Sequence, residues 1–191
     1  KGDTKNVIAT AAASPSFAMF GGTGRPGAYQ SLGFGATTDG VWLPVANGGT
    51  GDIHLTEAYG IRGAFSHNWN ENWTSSVYGS YSAVRYRGSA SDPGTAKGAY
   101  CQTYIGSTGG LVTKSADFSC NPDFNVSQLG LVTRWTPVRN LTFSAEVQWF
   151  HLDQKFTGAS SLAPSAPKPA TVYEYRDQDA VSLQLRAQRN F

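Results

Sequence analysis

The sequence predicts an all-β fold: one antiparallel wall, about five strands wide, of a transmembrane β-barrel. Three observations carry that expectation. Five segments alternate apolar and polar side chains with period two, as a sheet does when one face meets an apolar medium and the other meets water. The connections alternate long and short, as in barrels whose short turns lie on one side of a membrane and long loops on the other. The 191-residue chain is 13% aromatic and only 15% charged, and no apolar run approaches the roughly 20 residues that a membrane helix needs. A mean hydropathy of −0.32 agrees, because only half of each barrel strand faces lipid.

Residues 1–51 are dense in Gly, Ala, Ser and Thr around Gly21-Gly22-Thr23-Gly24-Arg25-Pro26-Gly27 and are expected to be mostly extracellular loop. The glycine cluster lacks the Lys-Ser/Thr ending of a phosphate-binding loop, and no helical pattern follows it. The first strand, 52–66, sets Ile53, Leu55, Tyr59, Ile61 and Phe65 against His54, Thr56, Ala58, Arg62 and Ala64; Glu57 interrupts the apolar side. A polar turn flanked by Trp69 and Trp73 follows, as an interfacial aromatic girdle would supply. The second strand, 73–87, places Val77, Gly79, Tyr81 and Ala83 opposite Ser76, Tyr78, Ser80 and Ser82, with Tyr86 and its two flanking arginines at a headgroup-level rim.

A long loop at about 88–124 holds both cysteines. The third strand, 125–136, sets Leu129, Leu131 and Trp135 against Gln128, Gly130 and Arg134. After a tight turn at 137–140, the fourth strand, 141–155, sets Leu141, Phe143, Ala145, Val147 and Trp149 against Thr142, Ser144, Glu146 and Gln148. A Pro/Ala/Ser-rich loop leads to the last strand, 176–191. There Val181, Leu183, Leu185, Ala187 and Phe191 share a face opposite Ser182, Gln184, Arg186 and Gln188; Arg189 sits close enough to the end to snorkel into the interface. The loop lengths assign the sides: turns near 70 and 138 periplasmic, and 1–51, 88–124 and 156–175 outside.

A net charge of +2, scattered along the chain, gives no footprint for nucleic acid. Cys101 and Cys120 are the only cysteines, and in an oxidising envelope compartment they are expected to form a disulfide. Closing that loop would stabilise it by roughly 3 kcal/mol in the chain-entropy account. With no His in the loop, a zinc site would be two soft ligands short. His54, His67 and His151 lie on separate strands and ends, so no Ser-His-Asp constellation follows, and no enzymatic activity or cofactor is expected. Arg62, Arg134 and Arg186 share the polar parity with Glu146 and are the candidate pore-lining residues.

The stretch 53–87, the run Cys120-Asn121-Pro122-Asp123-Phe124-Asn125 and the ending Arg186-Ala187-Gln188-Arg189-Asn190-Phe191 resemble the C-terminal part of alphaproteobacterial outer-membrane porins. The approach Thr38-Asp39-Gly40-Val41 and the run Val77-Tyr78-Gly79-Ser80-Tyr81 belong to the same likeness, which covers roughly residues 36–191. The resemblance implies a single barrel of the 16-stranded type, of which this chain holds about five C-terminal strands. It implies a homotrimer in the bacterial outer membrane, among its lipids and lipopolysaccharide, passing ions and small hydrophilic solutes by passive diffusion. It also implies that Phe191 is the signal read by the outer-membrane assembly machinery. The N-terminal half that narrows the pore in such porins is missing, and a start at Lys1 without Met is taken as processing or truncation. Two other expectations compete: a small complete barrel of the adhesin or structural type, and a soluble extracellular β-sandwich that binds ligands through its loops. The small barrel needs three more strands from residues 1–50, where 32–42 is one weak candidate.

Overall fold

A computed structural model describes residues 1–4, 7, 16–107 and 113–190. The strands are β1 (Ser16–Gly21), β2 (Gln30–Ala36), β3 (Gly40–Trp42), β4 (Ile53–Leu55), β5 (Glu57–Asn68), β6 (Trp73–Arg85), β7 (Phe124–Val138), β8 (Leu141–Gln154), β9 (Ala159–Leu162), β10 (Thr171–Tyr175) and β11 (Gln178–Arg189); helix α1 spans Ala96–Ser107. The chain divides into two compact units.

One unit comprises Gly60–Ser82, Val126–His151 and Asp179–Phe191. It contains most of the five-stranded sheet, ordered β11-β8-β7-β6-β5; these match the five strands the alternation predicts, except that the start of the first, expected at 52–66, is the separate strand β4, which pairs with β3, and β5 begins only at Glu57. The sheet is open, with β5 and β11 at its edges. Two tight turns set its register. In the first, the Asn70 side chain accepts from the backbone N–H groups of Asn72 and Trp73, both at 2.9 Å, an Asx-type turn closed locally by a short polar side chain. In the second, Asn140 takes a left-handed conformation at φ 69°, which Asn tolerates better than most residues.

The other unit comprises Lys1–Tyr59, Ala83–Asn125 and Leu152–Gln178. Its four-stranded sheet runs β1-β2-β10-β9, with β2 and β10 parallel and the outer pairs antiparallel; β3 and β4 form a separate two-stranded ladder. Leu32, Phe156, Tyr173, Tyr175, Cys101 and Cys120 are its core, with Phe20, Phe34 and Tyr104 packed against them.

This unit departs from the sequence expectation. Residues 1–51, expected mostly as loop, contain β1, β2 and β3, and the stretches left as long loops contain α1, β9 and β10. The physical reason is that these elements carry no clean period. In β2 only Gln30 and Phe34 escape burial, so apolar and polar positions do not alternate. Helix α1 has little amphipathic contrast and includes Gly98, where a Cβ would collide with the Asp92 carbonyl, so its close packing on the preceding turn depends on glycine. The weak candidate at 32–42 corresponds to β2 and β3, but these strands pair within this unit. Tyr86, expected at a rim, is buried instead: its hydroxyl donates to the Ala36 carbonyl at 3.0 Å and lies 2.9 Å from the Thr38 hydroxyl. Burial pushes this phenol up to about 12.

Candidate functional site

The polar face of the five-stranded sheet is built from even-numbered side chains that bond to one another across strands. The Ser66 and Ser76 hydroxyls are 2.8 Å apart, those of Thr136 and Thr142 are 3.1 Å apart, and Ser80 donates to the Gln128 side chain at 3.4 Å. Such cross-strand pairs hold polar groups in fixed rows rather than leaving them to solvent. Tyr78 goes further, donating its hydroxyl to the Glu146 carboxylate two strands away on β8. Gly130 on the intervening β7 makes that reach possible, because a side chain there would overlap the Tyr78 ring.

Arg62, Arg134 and Arg186 lie on β5, β7 and β11 at positions of the same parity, all exposed. None of the three forms an ion pair with Glu146; that carboxylate is engaged by Tyr78 instead. On this face of the described strands Glu146 stands as one carboxylate against three guanidinium groups. The residues are placed on three different strands, so the structure sets them along a wall and does not draw them into one cluster.

The opposite face is apolar and bare. Ile61 is 75% exposed and Leu185 72%, and Phe65, Val77, Leu129, Leu131, Phe143, Val147 and Leu183 are exposed with them. Next to the tight turns, Trp73 stacks on Trp135 at 5.8 Å and Trp135 on Phe143 at 5.7 Å. Farther along, Trp149 stacks on His151, and both bond to Asp179, at 3.0 and 2.9 Å. His151 thus pairs with a tryptophan and a carboxylate. Among the described residues no group of three or more His, Cys, Asp or Glu gathers to hold a metal ion.

Glu57, the blemish on the apolar parity, is neutralised in place: it accepts from Arg87 Nε at 2.9 Å and pairs with Lys1 at 3.0 Å.

The remaining features belong to the loop-bearing unit. Cys101 on α1 and Cys120 are joined by a disulfide, with Cα atoms 5.9 Å apart, and both are buried. Asp123, within the run from Cys120 to Asn125, pairs with Lys97 of α1 at 2.6 Å and accepts from the Tyr86 backbone at 2.8 Å. Pro122 and Phe124 on either side of it are fully buried. That run is therefore the joint where the helix, the end of β6 and the start of β7 meet.

Residues 7–184 match the family model of the porin subfamily. The chain belongs to the porin subfamily. No curated protein and no solved structure matches it. Membership makes the chain a porin-type outer-membrane channel protein in kind, consistent with its β-rich fold. In this porin the sequence alone indicated the paired cysteines and the two faces of the wall. It did not indicate the Tyr78–Glu146 bond, although a glycine at polar parity inside a strand is the signal that a neighbouring ring crosses there. Phe191 lies outside the described residues.

Proposed function

We propose that this porin is a general-diffusion channel, a water-filled pore for passive passage of ions and small hydrophilic solutes across the outer membrane. One observation carries the proposal: a single sheet whose apolar face is bare and whose other face is a row of mutually bonded polar groups and free arginines. Lipid suits the first face and water the second. A soluble sandwich would have to cover the apolar face, and a binding module would need no polar row behind it.

The open edges of β5 and β11 support a larger barrel, because unpaired backbone in hydrocarbon costs several kcal/mol per group. On the resemblance we further propose a 16-stranded, homotrimeric barrel to which this chain contributes C-terminal strands, with the turns near 70 and 138 in the periplasm. Arg62, Arg134, Arg186 and Glu146 then line the pore, where fixed charge sets ion preference. Phe191 is proposed as the assembly signal; deleting it should lower the outer-membrane level of the protein sharply, with normal accumulation and trimerisation as the contrary result.

The deciding experiment is reconstitution of the full-length protein in a planar bilayer. The expected result is stepwise conductance that scales with bulk salt conductivity and does not saturate. Saturation at low concentration would indicate a solute-binding channel, and an absence of steps would remove the channel reading.

A further inference from the structure

Glu146 lies between two strands that each carry a guanidinium group on its own face. Strand β8 pairs with β7 on one side and with β11 on the other. The Thr136 and Thr142 hydroxyls, 3.1 Å apart, set the level of β7 against β8. The Asn190 N–H donates to the Asn140 carbonyl at 2.9 Å and sets the level of β11. Counting along the strands from both contacts brings Arg134 and Arg186 beside Ser144, one on either side of β8. Glu146 is the next residue on that face and so diagonal to both, and diagonal neighbours on a sheet are within reach of long side chains.

A pair between ions is stronger than a bond from a neutral hydroxyl, yet it is Tyr78, two strands away on β6, that donates to this carboxylate. The Ser75 and Thr133 hydroxyls, 3.2 Å apart, put Tyr78 opposite Gly130 on β7, and only a glycine there lets the ring cross. Tyr78 and Glu146 are half-buried, whereas Arg134 and Arg186 are exposed. The bond therefore anchors the carboxylate at the surface of the sheet beside Gly130 and leaves the guanidinium donors to water.

We propose that Tyr78 is a positioning residue for ion selection: it holds Glu146 off Arg134 and Arg186 and leaves both guanidinium groups free to draw anions into the pore. Released, the carboxylate would pair with one of them, and a paired guanidinium offers a passing anion neither its full charge nor its full set of donors. The net charge of the wall is the same either way. What Tyr78 sets is where that charge is felt, and in salt solution an ion feels only nearby charge. The proposal rests on reading this face as the pore wall.

The test measures the anion-to-cation permeability ratio of the full-length protein in a planar bilayer, from the reversal potential under a potassium chloride gradient. Tyr78→Phe should lower the ratio about twofold, the weight of one partly exposed ion pair. Glu146→Gln should raise it, because it removes negative charge from the wall. In the Glu146→Gln background Tyr78→Phe should change nothing further, since no carboxylate is left to release. An unchanged ratio in Tyr78→Phe alone would overturn the proposal. So would an equal fall with and without Glu146, which would mean that Tyr78 acts on the pore without positioning that carboxylate. A protein that conducts normally yet shows either of those results loses this role of Tyr78 alone; a wild-type protein that gives no conductance steps has lost the channel reading first.

Discussion

The Tyr78 hydroxyl donates to the Glu146 carboxylate, and the Tyr78 ring crosses the bare backbone of Gly130 to do so. Three adjacent strands, β6, β7 and β8, are thereby tied at one level of the polar face. An alanine at Gly130 would drive the ring out of its path, whereas Tyr78→Phe would remove the hydrogen bond and leave the ring in place. Gly130→Ala should therefore cost about 1–3 kcal/mol, as overpacking does, and Tyr78→Phe about 1 kcal/mol. The temperature at which the folded protein loses its compact electrophoretic mobility gives the order. If Tyr78→Phe proves the more damaging, the ring crossing is not what holds these strands.

Arg62 is the strongest candidate for ion selection. It lies well inside β5, whereas Arg134 and Arg186 fall within a few residues of the ends of β7 and β11. A fixed charge in a narrow pore acts within the Debye length of about 8 Å at physiological salt. Arg62→Ser should move the reversal potential under a salt gradient toward cation preference, and Arg186→Ser should move it less. Unaltered conductance and reversal potential in Arg62→Ser would remove Arg62 from the constriction.

The disulfide between Cys101 and Cys120 closes a loop whose ends are 19 residues apart. The chain-entropy account gives roughly 3 kcal/mol for a loop of this size. Because both cysteines sit in the core with Phe156, Tyr173 and Tyr175, the double Ser variant should unfold the loop-bearing unit at lower denaturant while the wall persists. Alkylation without prior reduction should add no mass to the folded protein; addition of two alkyl groups would contradict the bridge.

Arg25 grips Asp117 with two parallel hydrogen bonds, at 2.7 and 2.9 Å. That guanidinium, with help from Ser115, holds the Asp117 carboxyl well below its ordinary value of 3.8. A carboxyl depressed in the folded state contributes stability that is fully present above its unfolded value and is lost as pH falls through the folded one. The link between 22–29 and 113–119 should thus hold at full strength down to about pH 4 and weaken progressively below it. Proteolysis within 22–29 should accelerate in Arg25→Met at neutral pH, and the variant and wild-type rates should converge only at strongly acidic pH. Convergence already near pH 5 would mean that the pair does not hold these segments.

The wall was legible in the sequence because its strands repeat one rule. Ile61 and Phe65 face one way and Arg62 and Ala64 the other, and the same alternation recurs from Val77 through Leu185. A strand between lipid and water must write its two environments into adjacent residues, so period and parity suffice to find it. The loop-bearing unit obeys no such rule. Its β2 is buried at most positions, its α1 lacks a clear apolar face, and β10 lies parallel to β2 across some 140 residues of chain. Those elements exist because Leu32, Tyr173, Phe156 and the disulfide pack together, a matter of contacts between distant segments that no local pattern records. Glu57 shows both levels at once. Its position on the apolar parity was visible in the sequence, but only the tertiary structure brings Arg87 and Lys1 to its carboxylate and makes a charge tolerable there.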